Sequence, residues 1–197
     1  MNKQLMAAAL AAAAVIAAPA HASTAALPAD GSWSEFTVDS FVGPAYGTGW
    51  IDGTDGSPLS FSFTIAAGNV GTLRVVDLGF AGDTFTLSNN GAALGTTSSV
   101  AVGNVDGSVE FDEAAALADP AYSHGVFTLA AGTYSISGSL LQSVFDNHAG
   151  VDLDATYGAI SLTTAAAVPE ASNAAMLLAG LAAAALMVRR RQSAKSI

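Results

Sequence analysis

Cysteine is absent from the 197 residues. The chain therefore has no disulfide, no thiol nucleophile and no cysteine-held zinc, and a folded domain must rest on its apolar core. Basic residues are scarce too: six Lys and Arg stand against sixteen Asp and Glu, for a net charge of −10. Most of that positive charge lies at the ends, in Lys3, Arg189, Arg190, Arg191 and Lys195. Between Ser23 and Ala167, Arg74 alone faces fifteen acids, which leaves that stretch near −14 (1 − 15). Such a field repels nucleic acid and anionic lipid and favours cations and solubility. Nucleic acid is excluded as a partner, because binding it needs clustered Lys and Arg. Histidine is nearly missing as well: His21, His124 and His148 are the full set.

What is present begins with two terminal signals. Met1 to Ala22 carries Lys3, then an Ala/Leu/Val/Ile run, then Ala20-His21-Ala22. A charged start, an apolar centre and a small-x-small end describe a secretory signal peptide, cut by signal peptidase before Ser23. The alternative, a permanent anchor, suffers from an apolar run short of the roughly 20 residues a span needs.

At the other end, Val168-Pro169-Glu170-Ala171-Ser172 leads into an apolar run from Ala174 to Val188, closed by Arg189-Arg190-Arg191. Counted from Ser172, the run reaches about the lower limit for a bilayer-crossing helix. Met176, Leu177, Leu178, Leu181, Leu186 and Met187 spread around the helix, which marks a segment either fully buried or in lipid. The three arginines fit the cytoplasmic positive charge beside a span and so set topology.

This order of motif, apolar helix and arginine cluster resembles the sorting signal of PEP-CTERM proteins, a tail also known as the ice-binding protein C-terminal domain. Val168, Pro169 and Glu170 match the motif, and Ala171 departs from it where the family has a second proline. The resemblance covers about residues 168–197. It implies recognition by an exosortase-type enzyme, processing near the motif, and a setting in the envelope or an extracellular polysaccharide matrix. It implies nothing about the activity of the upstream domain.

The expected organisation is a signal peptide at 1–22, an ectodomain at 23–167 and a sorting signal at 168–197. About 145 residues suit one domain. Short apolar or alternating runs, broken by Gly, Asn, Asp and Ser about every ten residues, predict an all-β fold, an antiparallel β-sandwich of jelly-roll-like form. One C-terminal transmembrane helix should follow it. Strands are expected at Ser34–Val42, Leu59–Ile65, Gly71–Leu78, Thr84–Ser88, Ser98–Val102, Gly125–Leu129, Thr133–Leu141 and Tyr157–Thr163. Strict alternation puts Leu59, Phe61, Phe63 and Ile65 on one buried face. Asn89-Asn90-Gly91 supplies a turn tolerant of positive φ, and Ala130-Ala131-Gly132 reads as a hairpin loop. Glu113 to Ala118 is the one helical-looking piece, stopped by Asp119-Pro120, and the same residues fit a loop equally well. The stretch Asp77, Gly82-Asp83, Phe85, Asn90-Gly91, Leu94-Gly95 and Thr96 to Ser98 looks like a strand-turn-strand pattern of secreted β-sandwich proteins in this sorting class.

Candidate chemistry is sparse. Asp52 and Asp55 in an acidic glycine turn, and Asp152 and Asp154 around Leu153, could offer carboxylates to Ca2+. They match no EF-hand loop, and Asp and Gly also form turns without any ion. Asp77 with Asp83 is a fainter version of the same idea. Ser123-His124 after Asp119, and His148 after Asp146, hold the parts of a hydrolytic triad, but no G-x-S-x-G elbow accompanies them. Trp33, Tyr46, Trp50 and Tyr122 sit among loop residues, where an aromatic ring can stack on a sugar or plug the end of a sandwich. An ice-binding surface would want flat rows of Thr, and Thr96-Thr97 and Thr163-Thr164 are too few.

The expected function is an exported, exosortase-sorted protein of the cell envelope or extracellular matrix, structural or carbohydrate-associated, and not an enzyme. Two alternatives stay open: an extracellular polysaccharide hydrolase, and a single-pass membrane protein whose tail is never cut.

Overall fold

A computed structural model describes residues 22–42 and 47–167, and in the tail residues 176–178, 180–182, 184 and 187. The signal peptide up to residue 21, Tyr46, the motif Val168, Pro169 and Glu170, and Arg189, Arg190 and Arg191 lie outside the described residues. The chain falls into two units, residues 1–165 and 166–197. In the second, the described residues from 176 onward are helical. Among the described residues no helix is long and apolar enough to cross a membrane.

Among its described residues the first unit is all-β, with one short helix. Its strands are β1 (Ser23–Ala26), β2 (Asp30–Asp39), β3 (Leu59–Ile65), β4 (Asn69–Phe80), β5 (Thr84–Asn89) and β6 (Ala92–Thr96). After β7 (Val109–Glu110) comes α1 (Glu113–Ala118), then β8 (His124–Leu129), β9 (Gly132–Gln142), β10 (Phe145–Asp146), β11 (Val151–Asp152) and β12 (Ala155–Ala166). One five-stranded sheet has the order β1-β3-β9-β5-β6. The other has the order β2-β12-β4-β7, with β8 also paired to β4. A two-stranded ribbon joins β10 to β11.

Alternation explains why these sheets face each other. Phe61, Phe63 and Ile65 of β3, Phe85 and Leu87 of β5, and Ile136 of β9 point inward from the first sheet. They meet Phe36 and Val38 of β2, Leu73 and Val75 of β4, and Ile160 and Leu162 of β12 in one apolar cluster. One neighbouring pair departs from the antiparallel pattern: β1 runs parallel to β3, with Thr24 beside Ser60. The short Ser23–Ala26 segment carries too little pattern to be read as a strand; its docking also inserts Leu27 into the core.

Other boundaries moved for local reasons. β2 ends at Asp39 rather than Val42, because the Asp39 carboxylate accepts the Phe41 N–H at 2.8 Å and turns the chain. Asn90 (φ 49°) and Gly91 (φ 80°) make the expected tight turn. The return strand therefore begins at once, as β6 over Ala92–Thr96, and Ser98–Val102 is not a strand. Ala130-Ala131-Gly132 is no hairpin loop: β8 pairs with β4 and β9 with β3 and β5, so these residues carry the chain from one sheet to the other.

The helix formed where expected. The Asp112 carboxylate caps it by accepting the Ala115 N–H at 2.8 Å. Its Ala116 packs with Val76, Leu78, Tyr122 and Ala159 in a second cluster. β4 is therefore covered on both faces.

The outer face of the first sheet is different in kind. Its outward positions are mostly Ser and Thr, which bond across strands: Thr86 with Ser139 at 2.7 Å, Ser88 with Ser137 at 2.9 Å and Thr24 with Ser60 at 3.2 Å.

Candidate functional site

The most perturbed groups are Asp77 and Asp83. In β4, Leu73, Val75 and Asp77 alternate on the inward face, so Asp77 occupies a core position with no exposed surface. Asp83 follows in the turn to β5 and is 1% exposed. That turn is tight: Gly82 has φ +122°, and a Cβ there would come within 2.2 Å of the Gly103 nitrogen.

Backbone donors meet each carboxylate on one side only. Asp77 Oδ2 accepts from the Asp83 N–H at 3.2 Å and the Gly82 N–H at 3.4 Å. Asp83 Oδ1 accepts from the Val144 N–H at 2.7 Å. Asp77 Oδ1 and Asp83 Oδ2 have no hydrogen-bond partner. Burial pushes the Asp77 carboxyl up to about 9, with the Asp83 charge adding to the rise and backbone N–H groups opposing it. Burial likewise raises Asp83 to about 6, against the pull of the Thr156 hydroxyl and the Val144 N–H. Both carboxyls therefore hold a proton more tightly than an exposed carboxylate does, Asp77 the more strongly, and both are sealed from solvent.

A groove of about 210 Å³ opens among β2, β12 and the ends of β4 and β7. Phe80, Val109, Phe111, Leu153 and Tyr157 line it together with Thr37 and Asp39. Phe111 and Tyr157 pack edge to face, 6.0 Å between centroids, and both are at least half exposed. These aromatics escaped the sequence reading because Tyr157 sits within a strand pattern; its outward phase in β12 was the available signal.

Among the described residues, the expected ligand aromatics do not gather on one exposed face. Trp50 is 2% exposed and stacks on Phe36 at 3.9 Å, so it belongs to the core and presents no face to a sugar. Trp33 is partly buried against the second cluster. Tyr122 is also core, its hydroxyl donating to the Gly79 carbonyl at 3.2 Å. Tyr46 lies outside the described residues.

Two of the expected metal ligands, Asp52 and Asp55, serve as turn acceptors. Asp52 Oδ1 accepts the Thr54 N–H at 2.8 Å and Asp55 Oδ1 the Ser57 N–H at 2.9 Å. The Ser57 hydroxyl and N–H hold Asp55 below the usual carboxylate range. Asp152 is exposed on β11, and Asp154 adopts a left-handed turn (φ 49°) with its N–H donating to Ser143 Oγ at 2.8 Å. Among the described residues, no three or more Asp, Glu, His or Cys side chains converge as a metal cluster would require.

Nor do the triad parts assemble. Ser123 is fully buried and its hydroxyl bonds Thr97 Oγ1 at 2.9 Å. Asp119 accepts the Ala121 N–H. His148 Nε2 lies 3.0 Å from Asp106 Oδ1 on the surface, and that contact raises the imidazole.

No family model and no curated protein matches the chain. Among solved structures, it is similar to the pre-peptidase C-terminal domain of collagenase from Bacillus anthracis, at 10% identity and a TM-score of 0.37, covering 74% of this chain and 98% of that one. It is also similar to PliG from Aeromonas hydrophila, a periplasmic inhibitor of g-type lysozyme, at 11% identity and a TM-score of 0.34, covering 74% of this chain and all of that one.

Proposed function

We propose that the chain is an exported, non-catalytic protein of the cell envelope or extracellular matrix, sorted by an exosortase-type enzyme and structural or carbohydrate-associated in its final setting. The observation that carries this reading is the order of the tail: Val168-Pro169-Glu170, an apolar run to Val188, then Arg189 to Arg191. The domain supports it by ending where the tail begins, since β12 stops at Ala166, two residues before the motif. A β-domain of this length with two facing sheets packed on an apolar cluster is of a size that can fold without the tail.

In this reading signal peptidase cuts before Ser23 and the apolar run holds the chain in the inner membrane as a single-pass intermediate. The arginines stay on the cytoplasmic side. Pro169 and Glu170 mark the junction for the sorting enzyme.

The test is the intact mass of the native protein from the envelope and the culture medium. A species from Ser23 to near Val168–Ala171 is expected, and Pro169→Ala with Glu170→Ala should hold the chain in the membrane fraction. A species that retains Arg191 in every fraction would refute processing.

A further inference from the structure

We infer that the outer face of the sheet β1-β3-β9-β5-β6 is a docking surface for an uncharged, hydroxyl-rich polysaccharide. This deepens the carbohydrate-associated part of the reading above, on which it rests, and is independent of the sorting part.

The first observation is a segregation of charge. None of the five strands Ser23–Ala26, Leu59–Ile65, Gly132–Gln142, Thr84–Asn89 and Ala92–Thr96 contains Asp, Glu, Lys, Arg or His. The opposite sheet carries Asp30, Glu35, Asp39, Arg74 and Glu110 in its strands. In a domain near −14, a five-stranded charge-free face has a neutral partner as its electrostatic match; an anionic polymer would be repelled by the surrounding acids.

The second observation is what fills the face. Outward positions of neighbouring strands stand about 4.8 Å apart across the sheet and about 6.8 Å apart along a strand, so the side chains form a two-dimensional array. Register puts Ser62 beside Ser135 and Thr64 beside Thr133, adding to the bonded pairs Thr86–Ser139 and Ser88–Ser137. In Ser88–Ser137 one hydroxyl hydrogen joins the pair, which leaves the second hydrogen and the remaining lone pairs for a ligand; in Thr86–Ser139 the Thr86 hydroxyl also has the Ser139 carbonyl as an acceptor at 3.3 Å, so that pair offers mainly lone pairs. A pyranose edge presents the same mixed donors and acceptors.

The third observation is a depression in that array. About 280 Å³ lies over Thr86, Ser88, Ser137 and Ser139, beside Gly91 and Ala93. By contrast, the groove at Phe111 and Tyr157 is mostly apolar and offers few hydroxyl partners.

The test uses the full chain, expressed with both signals and recovered from envelope and medium. Retention is measured on microcrystalline cellulose and in gels containing dextran or galactomannan, with alginate as the anionic control. The wild type should be retained by at least one neutral polymer and not by alginate. Replacing Thr86, Ser88, Ser137 and Ser139 with Ala should weaken retention at least about tenfold, since it removes the hydroxyls that would bond the polymer. Ser139→Asp, a single charge on the exposed face, should do the same if the fourfold variant fails to fold. Phe111→Ala should leave retention unchanged. No retention on any neutral polymer overturns the inference, as does unchanged retention of folded Ser139→Asp or loss with Phe111→Ala. A wild-type dimer that Ser139→Asp dissolves would assign the face to a second copy of the chain, and ice shaping without polymer retention would assign it to ice; either also overturns it. The mass measurement above reports on sorting separately.

Discussion

Replacing Asp77 with asparagine tests the buried carboxyl pair by its effect on stability against pH. The native carboxyl titrates near 9 and its ordinary value is 3.8. Between those limits the folded chain holds a proton that the unfolded chain has released. Stability is therefore fully present below about pH 4 and is lost as pH rises toward 9, at up to about 1.4 kcal/mol per pH unit. Asp83, raised to about 6, adds to the slope between about pH 4 and 6. Relaxation and water entry soften such penalties, so a loss of about 2 kcal/mol between pH 5 and 8 is a fair expectation. Asparagine keeps an oxygen for the Gly82 and Asp83 N–H groups and offers an amide donor in place of the acid proton. Asp77→Asn should match the wild type near pH 4 and exceed it by about 2 kcal/mol at pH 8, or roughly 6 °C in Tm. Urea unfolding followed by circular dichroism from pH 4 to 8.5 reads this directly. A variant with the wild-type pH slope, or less stable than the wild type at pH 8, would show that Asp77 is not the titrating group.

Three further outcomes are expected. Gly138→Ala places a Cβ 2.4 Å from the Trp50 ring and 2.7 Å from the Thr86 carbonyl, so thermal unfolding should show a loss of roughly 1–3 kcal/mol. Asp112→Ala removes the cap of α1 and should lower stability by about 1 kcal/mol in urea titration, with β pairing intact by hydrogen exchange. Asp106→Asn removes the anion beside His148, so the imidazole midpoint measured by NMR should fall toward its ordinary value; an unmoved midpoint would show that the contact does not persist in solution.

Much of the β architecture was legible because strand alternation records which side chains face inward. Leu59, Phe61, Phe63 and Ile65 all lie in the core, and Asn90-Gly91 makes the turn its residue types favour. The helix also formed where the alanine run and Asp119-Pro120 suggested one, while its Asp112 cap emerged only from the structure. Asp77 was legible in part: it is in phase with Leu73 and Val75, which a strict reading of β4 would have marked as a buried acid.

Alternation says which way a residue points, not which strand lies beside it. The sequence by itself determined the charge balance, the absence of cysteine, the all-β character and the order of the tail, because these follow from residue type and spacing along one chain. Only the tertiary structure decided that Ala130–Gly132 crosses between sheets, that Trp50 seals the core, and that Asp77 and Asp83 share one burial. It alone set Thr86 against Ser139 and Ser88 against Ser137, because those contacts join segments about fifty residues apart and depend on a register that no local pattern encodes.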